Sequence, residues 1–345
     1  MTYPVSILDL TPIPAGASSA AALAMTGELA RLADRLGYHR YWFAEHHNTR
    51  SLASAAPEIM IAHIAAQTEH LRLGSGGVML PNHSPLKIIE TFRLLEALHP
   101  GRIDLGLGRA PGTDGITAFA MRRSREAMTA DDYPEQLAEL IAYDDESFPG
   151  DHPFRAIKAI PFDVKMPPLW LLGSSPFSAE LAAGAGLAYA FAGHINGAGA
   201  MSALRSYRAS FVPSDRYPVP RSMLAVSVTV GETAAHAEQL NQINKLMLVR
   251  LRTGQTDRLY PTLDEAMAYT FSPAEQQLID AMPMRSIVGD IETVHARLLD
   301  LAAEAEVDEL MVTTFLADKA DRVRTITSLA AAFGLLNRSL MSAGV

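Results

Sequence analysis

Cysteine is missing from this chain altogether. That excludes disulfides, a thiolate nucleophile and any cysteine-ligated zinc or iron–sulfur centre. Positive charge is also short. The 29 Lys and Arg against 38 Asp and Glu leave a net charge of −9, which argues against a nucleic-acid groove or a polybasic membrane patch. No uncharged apolar run reaches the ~18 residues of a membrane span. The opening MTYPVSILDL has neither the basic start nor the apolar core of a secretory leader. A soluble, cytoplasmic protein with no nucleic-acid or membrane partner is the expectation. What the chain does contain, 48% hydrophobic and 19% charged residues over 345 residues, suits a globular protein of one large domain or two smaller ones, and a single domain over residues 1–345 is the expectation.

Short apolar runs of strand character recur at residues 5–10, 41–44, 71–77, 103–107, 169–172, 189–192, 223–230 and 309–313. Helical stretches alternate with them at 20–36, 57–69, 85–98, 122–143, 201–212 and 233–252, with others starting near Ser175 and after Asp290. Gly37 ends the first of these, and Pro57 suits a first helical position. Residues 144–168, rich in Pro, Gly and Asp, and residues 253–288 read as irregular insertions. About eight buried-looking strands alternating with helices predict an α/β protein, a (β/α)8 TIM barrel with insertions after strands 4 and 7. A doubly wound open sheet is the alternative. It would want its glycine-rich loop after the first strand.

The strand ends carry the chemistry. They read Glu45-His46-His47, Gly76-Gly77, Gly108-Arg109, Gly173-Ser174-Ser175 and Gly193-His194. In a barrel these converge on one face, where active sites are built. Residues 100–109 (PGRIDLGLGR) organise the set, because the strand breaks into glycine just where Arg109 offers a fixed fork of donors. Ser175 before Pro176 signals a helix start, whose free amides and positive dipole end favour an anion. Added hydroxyls from Ser174 and Ser178, with Arg109 nearby, predict a phosphate site.

Three other motifs carry less. Residues 106–112 imitate a dinucleotide loop, but the third glycine comes one residue late and Pro111-Gly112 blocks an immediate helix. Adjacent residues leaving a strand diverge, so Glu45-His46-His47 makes a poor metal set and no metal is expected. The basic run Arg122-Arg123-Ser124-Arg125 reads as a solvated helix face.

Together, Glu45-His46-His47, residues 73–81 (LGSGGVMLP) and residues 100–109 resemble the bacterial luciferase-like flavin monooxygenases. Residues 169–175 (LWLLGSS), 286–290 (SIVGD) and 318–322 extend the resemblance over nearly the whole chain. It implies a (β/α)8 barrel that uses reduced FMN and O2 on a small organic substrate, with a separate reductase supplying the flavin, because no nicotinamide site is visible. It also implies a homodimer. Carried over residue by residue, His46 would stand beside the flavin as the catalytic histidine. Gly76 and Gly77 would be joined by a cis peptide under the ring, and Arg109, Ser174, Ser175 and Ser178 would hold the phosphate, with Glu45 and Gly173 also in the cofactor site. His194 and Asn196 would face the substrate.

Luciferase itself has Glu at the position of Ser174 and Ala-Ala at Gly76-Gly77, which argues against light emission and a long-chain aldehyde substrate. Because the family includes deazaflavin-dependent enzymes, F420-dependent hydride transfer stays open. So do a flavin-binding protein without catalysis and metal-assisted hydrolysis. Residues 114–130 and 253–288 would shape the substrate pocket.

Overall fold

The computed structural model describes residues 3–129, 132–281 and 286–335. Ten strands form one parallel sheet: β1 (Val5–Asp9), β2 (Arg40–Phe43), β3 (Arg72–Ser75), β4 (Val78–Met79), β5 (Ile103–Gly108), β6 (Leu169–Gly173), β7 (Ala188–Ala192), β8 (Ser222–Val230), β9 (Ser286–Gly289) and β10 (Glu309–Thr313). β10 pairs with both β1 and β8, closing a barrel of β1, β2, β3, β5, β6, β7, β8 and β10. Helices on the outer face connect successive strands, so this is a (β/α)8 barrel. The insertions follow β5 and β8, the fourth and seventh barrel strands.

The local chemistry explains most boundaries. Ser18 caps the helix Ser19–Leu36 through the amide of Ala21, and Gly37 ends it in the left-handed conformation at φ 82°. Proline opens the helices Pro57–Ala65, Pro85–Leu98 and Pro176–Gly184. Three expectations need correcting. The single helix expected over 122–143 is three: Gly115–Arg122, Arg125–Thr129 and Tyr133–Asp145. Arg123 takes a left-handed conformation at φ 61° and stops the first, and Pro134 restarts the third. The basic run therefore spans a helix junction rather than one helix face. Within 253–288, the helices Leu263–Ala268 and Pro273–Asp280 and the strand β9 replace the expected irregular chain. The second helix, 57–69 by expectation, stops at Ala65.

Alternation along each strand divides two cores. The larger lies between barrel and helices, filled by residues such as Val5, Tyr41, Phe43, Leu105 and Phe191. The smaller lies inside the barrel and is built on Leu8, Trp42, Trp170, Met223 and Met311. Trp42 and Trp170 meet edge to face with ring centroids 5.7 Å apart. Beneath them, at the strand starts, Arg40 pairs with Asp104 at 2.7 Å and with Glu309 at 3.0 Å, and Arg72 pairs with Asp104 at 2.6 Å. The Trp42 indole N–H also donates to Asp104 at 3.2 Å, and the Ser6 hydroxyl donates to Glu309. A buried carboxylate is costly unless fully paired, and here Asp104 has three donors. The lower half of the barrel is thus closed, and its upper half carries the smaller inward residues Ala44, Ala190 and Ala225.

Candidate active site

Because every barrel strand is parallel, the five strand ends singled out in the sequence open on one face. At the end of β2, Ala44 faces the lumen, so alternation puts His46 on the lumen side and Glu45 and His47 on the other. Ser54 fixes this turn: its hydroxyl donates to the Ala44 carbonyl at 2.6 Å, and its own carbonyl accepts the His46 amide at 3.0 Å. The His46 side chain is half-buried, and its Nδ1 is buried without a hydrogen-bond partner among the described residues. Burial pushes its imidazole down to about 4, with the Glu45 charge opposing and His47 adding to the drop. At neutral pH His46 is an uncharged imidazole with an idle ring nitrogen.

Glu45 is 1% exposed. Its carboxylate accepts from the Met79 amide at 2.9 Å, from His47 Nε2 at 3.0 Å, from His83 Nε2 at 3.0 and 3.1 Å, and from Asn82 Nδ2 at 3.4 Å. Burial alone would raise its carboxyl, but the hydrogen bonds from His83, His47 and Met79 outweigh it and hold the group below the usual range. Burial opposes charging His83, yet the bond and charge of Glu45, helped by Glu58, raise it.

The Gly76–Gly77 peptide is cis. A Cβ on Gly76 would lie 2.6 Å from Leu8 Cδ1, and one on Gly77 would lie 2.9 Å from the Gly106 carbonyl oxygen. The Gly106 backbone therefore requires glycine at position 77, whereas a side chain at position 76 would have to displace the Leu8 methyl.

Arg109 leaves β5 exposed, with its guanidinium 4.4 Å from the ring centroid of Phe177. This brings Arg109 to the start of the helix Pro176–Gly184, beside Ser174 and Ser175. Ser175 occupies the N-cap, yet its side chain makes no capping hydrogen bond. Ser178 differs. Its hydroxyl donates to the Ser175 carbonyl at 2.8 Å and pairs with Tyr189 Oη at 3.0 Å, and Gly173 is needed because a Cβ there would lie 1.9 Å from Ser178 Oγ. Asn196 is also engaged: its Nδ2 donates to the Ser174 carbonyl at 2.9 Å and its Oδ1 accepts the Gly199 amide at 3.1 Å. His194 is half-buried, 6.4 Å between ring centroids from Phe315.

Sequence reasoning missed Phe177, which carries Arg109, and His83, which completes the Glu45 cluster. His83 lies two residues beyond the 73–81 motif, so a histidine in that position was the available signal. Among the described residues no group of three His, Asp or Glu side chains could hold a metal, and no helix is long and apolar enough to cross a membrane. A separate cleft of about 310 Å³ lies on the barrel's outer flank between the helices Ala200–Ala209 and Ile291–Ala305, away from His46.

A closed (β/α)8 barrel with histidine, glycine and serine strand ends on one face defines a class of barrel enzymes. Within that class, the luciferase-like monooxygenase family matches residues 3–309, and the chain belongs to it. A luciferase-like monooxygenase of Escherichia coli K12 is 43% identical over 324 residues, covering 94% of this chain and 95% of that protein. The N-acetyl-S-alkylcysteine monooxygenase of Bacillus subtilis is 34% identical, covering 90% and 92%. The crystal structure of apo-MsnO8 superposes with a TM-score of 0.88 at 39% identity, covering 97% of this chain and 98% of that one.

Proposed function

We propose that this chain is an oxygenase that receives reduced FMN from a separate reductase and uses O2 to oxygenate a small organic substrate. The observation that carries the reading is the buried, unpartnered Nδ1 of His46, on the lumen side of a barrel mouth whose opposite rim is an anion-ready helix start. A polar atom left unpaired inside a protein costs about 1–3 kcal/mol, so a ligand group that reaches it restores that loss.

The residues present fit a flavin. Arg109, Ser174 and Ser175 would hold the phosphate at the start of the helix Pro176–Gly184, with Ser178 bracing that turn from inside. His46, Ala44 and the Gly76–Gly77 peptide would border the ring. When bound, reduced FMN supplies the electrons that activate O2. The protein's part is positional. His46, neutral at pH 7, can donate or accept one hydrogen bond at Nδ1 without bringing a charge into the pocket, and can relay a proton there only while Nε2 exchanges one in the same direction. Leu10, Leu172 and Phe315 supply apolar walls that keep water out. The monooxygenase activity in the name of the Bacillus relative supports oxygen insertion here.

Titrating the apo protein with FMN and with F420, then supplying reduced FMN from any flavin reductase under labelled O2, tests this. FMN binding with O2 consumption, and one labelled oxygen atom in a product from a substrate panel, is the expected result. Preferential F420 binding with hydride transfer and no O2 uptake would overturn it.

A further inference from the structure

The flavin reading leaves the Glu45 cluster without a role. Glu45 points away from the lumen, and its two oxygens already accept from Met79, His47, His83 and Asn82. A carboxylate offers about four acceptor sites, so no capacity remains for a ligand. Its donors are tied in turn to the next strand's loop. Asn82 Nδ2 donates to the Pro111 carbonyl at 2.9 Å, Arg122 Nε donates to Asn82 Oδ1 at 3.3 Å, and the His47 amide donates to the Gly112 carbonyl at 3.1 Å. Three strand-end segments, after β2, β3 and β5, therefore meet around one buried carboxylate.

From this juxtaposition we propose that Glu45 is a positioning residue, a latch clamping segment 78–83 to the end of β2 so that His46 and the Gly76–Gly77 peptide keep a fixed relation across the barrel mouth. The proposal rests on the flavin reading only for what is positioned; the latch itself is a property of the apo protein. Glu45 lies between His47 and His83 and next to His46, and Glu58 faces His83, while Arg122 acts through Asn82. Those groups give the latch a pH window. The lowered carboxyl of Glu45 strengthens it above pH 4.5, a contribution lost as pH falls through the folded value. The raised imidazole of His83 strengthens it fully below pH 6.5, a contribution lost as pH rises through its folded value.

Glu45→Gln and His83→Gln are the test variants, with Glu45→Asp replacing the first if it fails to fold. In apo Glu45→Gln, amide exchange protection of residues 78–80, 82 and 83 should fall about tenfold or more. The His83 ring titration, followed by NMR, should move down. The FMN dissociation constant should change less than about threefold while the circular dichroism of bound FMN changes, a spectroscopic effect that loss of stability alone would not produce. His83→Gln should keep the clamp but lose its weakening at high pH. A tenfold or larger loss of FMN affinity with unchanged exchange would make Glu45 a ligand and end the proposal. A lowered melting temperature with unchanged exchange and dichroism would reduce Glu45 to a structural residue and end it equally. If the wild-type protein binds no FMN, the flavin reading fails, while the exchange data still decide for or against the latch.

Discussion

If Arg109 meets the FMN phosphate as proposed, removing its guanidinium should separate phosphate recognition from every other part of cofactor binding. The side chain leaves β5 and stacks 4.4 Å from the Phe177 ring centroid, at the helix start where Ser175 has an uncommitted hydroxyl. Stacking fixes the plane of the guanidinium, so little entropy is lost when it meets a phosphate. A hydrogen bond to a charged group contributes about 1.5–3 kcal/mol. Arg109 is exposed, so water and salt screen it toward the lower end. About 1.5 kcal/mol corresponds to a roughly tenfold rise in the FMN dissociation constant for Arg109→Ala. Quenching of flavin fluorescence, with FMN and riboflavin titrated in parallel at low and high salt, reads it. Riboflavin, lacking the phosphate, should be nearly indifferent, and the FMN penalty should shrink in high salt. Phe177→Ala should give a smaller loss of the same selectivity. Equal losses for the two flavins would show that Arg109 does not meet the phosphate.

Gly106→Ala should destabilise the barrel by about 3 kcal/mol in urea melts, the upper end for overpacking, because its Cβ would lie 2.1 Å from the Ser75 carbonyl oxygen, a backbone atom that cannot step aside; a normal melt would contradict the packing. Arg322→Met should cost about 3–5 kcal/mol by stranding the buried Asp9 it pairs with at 2.7 Å, whereas a loss under about 1 kcal/mol would mean that Asp9 is compensated by Tyr41, Thr26 and the Thr11 amide. His46 takes up a proton at about 4 when folded and at 6.5 when unfolded, so the unfolded chain binds more protons between those values and stability must fall as pH drops through that window. The loss approaches about 3 kcal/mol at 1.36 kcal/mol per pH unit. His46→Gln should flatten that part of the stability–pH curve, and an unchanged slope would refute the burial argument.

The barrel was legible because its strands are short apolar runs that end in glycine or polar residues, and because prolines and caps mark the helices between them. Strand β9 was not. Its four residues, three of them half-exposed, carry little apolar signal. They become a strand because β8 runs to Val230, beyond its pairing with β7 at Ala225, and leaves an edge that β9 covers. The break at Arg123 was equally hidden, since a left-handed arginine has no composition signature. At the site, the sequence grouped Arg109 with the serines, and the structure stacks Arg109 on Phe177, in the first turn of the helix that Ser175 precedes. The sequence could not say which hydroxyls face outward. That Ser178 turns inward depends on Tyr189, eleven residues away on the next strand. Glu45 looked like a cofactor residue by adjacency to His46, but alternation along β2 sends neighbouring side chains to opposite sides.

The floor of the barrel, two crossed indoles resting on a layer of paired arginines and carboxylates, imposes a rule on traffic. The barrel is plugged at that end, so the strand-end face is the side from which its site is reached. If the proposed flavin and its substrate both seat over that floor, the deeper of the two would arrive first and leave last, and shape rather than affinity would dictate the order of addition and release. The loops around the rim can be rebuilt for a new substrate while that order stays the same, because the part of the molecule that enforces it lies below anything a substrate touches.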